Sequence, residues 1–313
     1  MAWHMNMNSV FFSLIFSLQL VGCEEQREPA KEQSQPVTEK QVETVQTGLE
    51  AARRSFTTKL THRGPAPQGY EEVLPPAGVT EVEYTSGGLK LKAWLSDNPG
   101  DGKKHPAVVY LHGGWSFSAV DWQDVTQFID AGFVVMMPML RGENGNPGYY
   151  EAFYGEVDDA LAAGRFVADL PYVNPDQVFI AGHSVGAVLT TLVAMMPSNF
   201  QAAAALSGVL DMELWSATGD PAQFVFNTQD HEEVRVRNPM AFIDSLQIPV
   251  ILFAEPVGMD QFSRAFHKEA ILAGKSCELK IVPGDHTTMV APSVRQVIQW
   301  FQDQIENDVV KTP

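Results

Sequence analysis

Cysteine and positive charge are the two scarcities of this chain. Its 313 residues hold two cysteines, Cys23 and Cys277, too few for a disulfide framework. Lys and Arg number 21 against 38 Asp and Glu, a formal net charge of −17. A nucleic-acid partner or a polybasic membrane patch would need clustered cations, so the charge balance argues against both. An acidic surface that aids solubility accounts for it. No apolar run reaches the ~20 residues of a membrane-spanning helix. No pair of histidines has metal-ligand spacing, and His231-Glu232-Glu233 is not H-E-x-x-H. Neither a metal nor a cofactor is expected, and no internal repeat is present. Hydrophobic residues make up 45% and charged residues 19%, ordinary for a globular chain with a sizeable core.

The N-terminal segment carries its own signal. Val10 to Val21 is apolar, too short to span a membrane and followed by a polar stretch, which is the pattern of a signal peptide. Its end, Leu20-Val21-Gly22-Cys23, resembles the bacterial lipoprotein cleavage box. That resemblance implies a leader over residues 1–22, with Cys23 lipidated and the protein held on a membrane of the bacterial cell envelope. No Lys or Arg precedes Val10. Glu24 after the cysteine, in place of Asp, favours the outer membrane where there are two, and the choice between them stays open. Residues 23–65, rich in Glu, Gln, Lys and Thr, read as a flexible tether with a helical piece around 42–56. Cys277, left alone, reads as a buried strand residue.

From residue 66 to 313, strand and helix patterns alternate. Val79–Thr85 and Leu89–Leu95 form a predicted hairpin about Ser86-Gly87-Gly88. Strands follow at Ala107–Leu111, Phe133–Met137, Gln177–Ala181, Ala202–Leu206, Pro249–Phe253 and Glu278–Val282. Helices are predicted at 121–130, 156–169, 187–196, 261–273 and 293–306. Repeated β-α-β crossovers require a mostly parallel sheet, of about eight strands, covered by helices on both faces.

Gly182-His183-Ser184-Val185-Gly186 sits where the strand ending at Ala181 turns into the helix from Ala187. A serine on such a turn, with small residues two before and two after it, is the nucleophile elbow of the α/β-hydrolase fold. A serine hydroxyl needs a base to take its proton. His286, in Pro283-Gly284-Asp285-His286 directly after the last strand, is the candidate. Leu111-His112-Gly113-Gly114-Trp115 closes another strand, and its glycines let backbone N–H groups approach a substrate. The N–H of Gly114 or Trp115, with that of Val185, would stabilise an oxyanion. His112 is expected to support this loop, and His183 to point away from the nucleophile's pocket.

These motifs, with Arg141-Gly142-Glu143-Asn144-Gly145-Asn146-Pro147-Gly148 and Gly155-Glu156-Val157-Asp158-Asp159-Ala160, resemble the catalytic domain of the prolyl oligopeptidase family over about Val79 to Asn307. The resemblance implies a serine hydrolase acting on ester or peptide bonds. Relatives commonly carry Gly-x-x-Asp after the seventh strand, and an ungapped comparison puts Val257 where that aspartate is expected. The triad acid is then Asp260, Glu255 or Asp211, with Asp260 preferred at the far end of the loop. Arg141 is expected to pair with Asp158 or Asp159. Larger relatives select short peptides with an N-terminal propeller, which the ~60 residues before Val79 cannot form. Residues 207–238, with Leu214, Trp215, Phe224 and Phe226, offer a small cap. The expected substrate is a small ester or a short peptide, with the ester favoured. The rival function is a non-catalytic binding lipoprotein on the same fold.

Overall fold

The computed structural model describes residues 48–311. The leader over 1–22, Cys23 and the tether up to residue 47 lie outside the described residues.

The sheet is built from runs that can be buried on both faces. β3 (His105–Leu111) is apolar and buried from Ala107 on, and β4 (Val134–Pro138) and β7 (Val250–Ala254) are apolar and buried at every position. β1 (Val79–Ser86) and β2 (Leu89–Ser96) pair antiparallel at one edge. Gly87 and Gly88 join them with φ of 53° and 84°, the left-handed pair that a tight hairpin turn demands. β5 (Val173–His183), β6 (Ala203–Leu206) and β8 (Cys277–Ile281) complete eight strands in the order β1-β2-β4-β3-β5-β6-β7-β8. From β4 to β8 every pairing is parallel.

Side chains alternate between two cores because a strand repeats every two residues. Ala107, Val109 and Leu111 face one core, together with Val157, Val188 and Leu192 of α3 (Gly155–Ala168) and α4 (Val185–Val193). Val108 and Tyr110 face the other, with Val125 and Phe128 of α2 (Ala119–Asp130) and Val294, Val297 and Phe301 of α8 (Val290–Lys311). α7 (Asp260–Leu272) packs Phe266 and Ala270 on the first side. This is the α/β-hydrolase arrangement expected from the sequence.

Two further features frame the site. Between β6 and β7 the chain forms α5 (Met212–Thr218) and α6 (His231–Arg235), the small cap. Before β1, α1 (Leu49–Ser55) packs on the domain, so the expected tether is corrected over residues 48–65. Leu49 is fully buried, and its N–H donates to Ser245 Oγ at 3.0 Å. Arg53 reaches the Tyr154 carbonyl at 2.7 Å and Asp158 at 3.3 Å. Thr58 donates to Glu233 at 2.8 Å, and Thr61 N–H donates to the Val225 carbonyl at 2.7 Å. Polar composition disguises this segment because it is held by hydrogen bonds and ion pairs more than by apolar burial.

Candidate active site

Ser184 sits between β5 and α4 with φ 56° and ψ −113°. Such a conformation costs a non-glycine residue about 1–3 kcal/mol and is kept where the surroundings enforce it. The surroundings here are close. A Cβ on Gly182 would stand 2.4 Å from the Gly186 carbonyl oxygen, and one on Gly186 would stand 2.1 Å from that of Leu111. Ser184 N–H donates to the Leu206 carbonyl at 2.8 Å, which ties the turn to the end of β6.

His286 Nε2 lies 3.0 Å from Ser184 Oγ. The loop that carries it is braced by its own residues. Asp285 Oδ1 accepts from the N–H groups of Thr287 and Thr288 at 3.0 and 2.8 Å, and these bonds with Thr288 hold the Asp285 carboxyl below its usual range. His183 braces it as well, through the backbone of His286. Its Nε2 donates to the His286 carbonyl at 2.8 Å, and the two rings lie 4.7 Å apart. Burial, helped by the neighbouring imidazole, pushes His183 down to about 4, so it stays neutral and keeps that donor.

Of the three candidate acids, the structure brings only Glu255 to His286. Asp260 forms the first turn of α7 and pairs with Arg264 at 3.0 Å, which corrects the preference for it. Asp211 caps α5 by accepting from Leu214 N–H at 3.1 Å. Glu255 follows β7 directly, is 3% exposed, and places Oε1 3.6 Å from His286 Nδ1. Between the two stands Ser207, which no sequence motif marks. Its Oγ is 2.8 Å from His286 Nδ1 and 2.6 Å from Glu255 Oε2. Burial raises the Glu255 carboxyl, but the nearby His286 imidazole and the hydrogen bond from Ser207 outweigh it and bring the group down to about 2. Glu255 is therefore a carboxylate throughout the neutral range.

The His112 loop faces the serine: a Cβ on Gly113 would lie 3.6 Å from Ser184 Cβ. His112 supports it from below with Nε2 on Glu143 at 3.0 Å and Nδ1 near the Gly113 carbonyl at 3.0 Å. Burial disfavours the charge on His112, but Glu143 outweighs it and lifts the group to about 9. The two candidate N–H groups of this loop differ. Trp115 N–H donates to Gln68 Oε1 at 3.0 Å. The N–H groups of Gly114 and Val185 bond to no described residue. Gln68 arrives on a strap tied by Ala66 N–H to the Gly142 carbonyl at 2.9 Å. Trp115 also stacks on Trp215 of the cap, centroids 5.8 Å apart, with Tyr150 and Phe153 edge-on. An open groove of about 470 Å³, lined in part by Gln68, Tyr70, Val73, Ser116 and Val120, runs beside this loop. Among the described residues no group of three or more His, Cys, Asp or Glu could hold a metal ion.

A strained serine at a strand-to-helix turn, an imidazole in hydrogen-bond reach and a sheet of this order define a serine hydrolase of the α/β-hydrolase fold. Residues 118–254 match the model of the prolyl oligopeptidase family. The uncharacterized peptidase YtmA of Bacillus subtilis (strain 168) is 33% identical over 180 residues, covering 54% of this chain and 69% of YtmA. The chain belongs to the prolyl oligopeptidase family.

Solved structures share the fold. Dipeptidyl peptidase 4 of Porphyromonas gingivalis superposes with TM-score 0.62 at 18% identity over 72% of this chain, which spans 35% of that protein. Est1E of Butyrivibrio proteoclasticus with bound ferulic acid gives TM-score 0.59 at 21% identity, over 72% of this chain and 99% of Est1E.

Proposed function

We propose that this serine hydrolase cleaves small carboxylic esters through an acyl-enzyme on Ser184. The observation that carries the reading is the 3.0 Å contact of His286 Nε2 with the hydroxyl of a strained serine at a strand-to-helix turn. His286 takes the Ser184 proton as Ser184 Oγ attacks the acyl carbon, then returns it to the leaving group. Water repeats the sequence to release the acid. The N–H groups of Gly114 and Val185 receive the oxyanion, since that of Trp115 is already engaged by Gln68. Glu255 is the acid that orients His286.

Two features support an ester over an amide. Trp215, half-buried and stacked on the core residue Trp115, gives the loop after Gly114 an apolar neighbour for an acyl or leaving group. The acid also meets the imidazole indirectly, and an ester, whose leaving group departs more readily than an amine, asks less of that base. The second reading is a peptidase, supported by the family and by the name of the Bacillus relative. Initial rates on p-nitrophenyl esters and on matched peptidyl p-nitroanilides separate the two. Efficient ester cleavage with negligible anilide cleavage is expected; the reverse order would make the protein a peptidase.

We further infer a lipid anchor at Cys23 that holds the enzyme on an envelope membrane. A Cys23→Ala variant, fractionated beside the wild type, should leave the membrane pellet; unchanged retention would contradict the anchor.

A further inference from the structure

The acid of this site does not touch the base. Glu255 Oε1 and His286 Nδ1 are 3.6 Å apart, beyond hydrogen-bond distance. We propose that Ser207 is a positioning residue of the hydrolytic site, its hydroxyl joining Glu255 to His286 so that the relay runs Ser184, His286, Ser207, Glu255. The inference rests on the reading of Ser184 as nucleophile and His286 as base.

Counting protons fixes the arrangement. A hydroxyl has one proton to donate and lone pairs that accept. Glu255, ionised, only accepts, so the Ser207 proton points to Oε2 at 2.6 Å. Ser207 Oγ can then only accept from His286, at 2.8 Å, which puts the proton of the neutral imidazole on Nδ1. Nε2 is left with its lone pair 3.0 Å from Ser184 Oγ, the tautomer that a base requires. In acylation the bond from Ser184 Oγ to the acyl carbon forms as its proton moves to Nε2. His286 keeps Nδ1–H in its hydrogen bond to Ser207 Oγ, Ser207 keeps its own proton toward Oε2, and Glu255 stays ionised. Collapse of the intermediate breaks the bond to the leaving group, which takes the Nε2 proton.

The hydroxyl is placed by the fold. Ser207 is 1% exposed and has φ 57°, a left-handed conformation that a serine adopts at a cost. Its N–H donates to the Phe253 carbonyl of β7 at 2.7 Å, two residues before Glu255. The preceding Leu206 carbonyl receives the N–H of Ser184. One strand end therefore holds both the nucleophile's backbone and the relay hydroxyl.

The test uses the full chain with the variants Ser207→Gly, Glu255→Gln and their double, assayed on a p-nitrophenyl ester. Glycine is at ease at φ 57°, so Ser207→Gly removes the hydroxyl without adding backbone strain. Should it fail to fold, Ser207→Ala carries the same comparison. The expected result is a fall in kcat of at least about tenfold, short of the about 10⁴-fold seen when a triad carboxylate is disabled, with KM nearly unchanged. A far-downfield proton resonance from Nδ1–H should be present in the wild type and absent from both single variants. The double variant should be no slower than Glu255→Gln, because both changes cut one relay. Wild-type kcat in Ser207→Gly, or losses that multiply in the double variant, would overturn the proposal. Full turnover in Ser184→Ala, run alongside, would instead overturn the reading beneath it.

Discussion

Arg141 grips Asp159 with two parallel hydrogen bonds, Nη2 to Oδ1 at 2.8 Å and Nε to Oδ2 at 2.9 Å. The Arg141 N–H adds a third to Oδ2 at 3.0 Å, and the carboxylate is fully buried. The pairing settles between the two aspartates expected for this arginine, since Asp158 turns instead to Arg53. The grip fixes the loop after β4, whose next residues support the site. Glu143 meets His112, and Asn144 Oδ1 accepts from Phe117 N–H at 2.9 Å. Lysine cannot reproduce a two-pronged contact. Arg141→Lys should therefore lower stability by about 2–4 kcal/mol in urea titration, as partial loss of a buried pair does. A change below about 0.5 kcal/mol would mean that the loop stands without it.

Glu156, in the first turn of α3, is 2% exposed, and its Oε2 has no partner among the described residues. Burial raises its carboxyl, against a hydrogen bond from Glu151 N–H, to about 8 from an ordinary 4.5. Between those values the unfolded chain has released the proton while the folded chain still holds it. Stability from this group is therefore full below about 4.5 and falls as pH rises through about 8. Glu156→Gln should remove that loss. Its melting temperature should exceed the wild type's at pH 8, by a gain on the order of 1–3 kcal/mol, and match it near pH 4.5. A constant offset across the range would contradict the assignment.

Gln68 blocks a backbone donor of the glycine loop, for its Oε1 accepts from Trp115 N–H at 3.0 Å. Removing the amide frees Trp115 N–H at the loss of one ordinary hydrogen bond, about 1 kcal/mol. Gln68→Ala should raise kcat/KM about two- to fivefold, which corresponds to that energy. A fall instead would show that Gln68 buttresses the loop more than it obstructs it.

What the sequence discloses here is local. The elbow is legible because Gly182 and Gly186 are demanded by backbone contacts next to Ser184 in the chain. His286 is legible because a strand end and a glycine turn precede it, and the sheet because Ala107–Leu111 of β3 and all of β4 and β7 are unbroken apolar runs. The acid was less accessible. Asp260 has the residue type that relatives carry, but α7 begins at it and commits its carboxylate to Arg264. Glu255 succeeds because it leaves β7 directly and has one more methylene. Ser207 and Gln68 act through tertiary contacts 79 and 47 residues away in the chain, which no local pattern announces.

The central claim is that Ser184 is an activated nucleophile, and fluorophosphonate labelling of the full chain beside Ser184→Ala tests it most directly. Rapid labelling of the wild type and none of the variant is predicted, with both equally folded by circular dichroism. A folded wild type that does not label, or a variant that labels as fast, would contradict it.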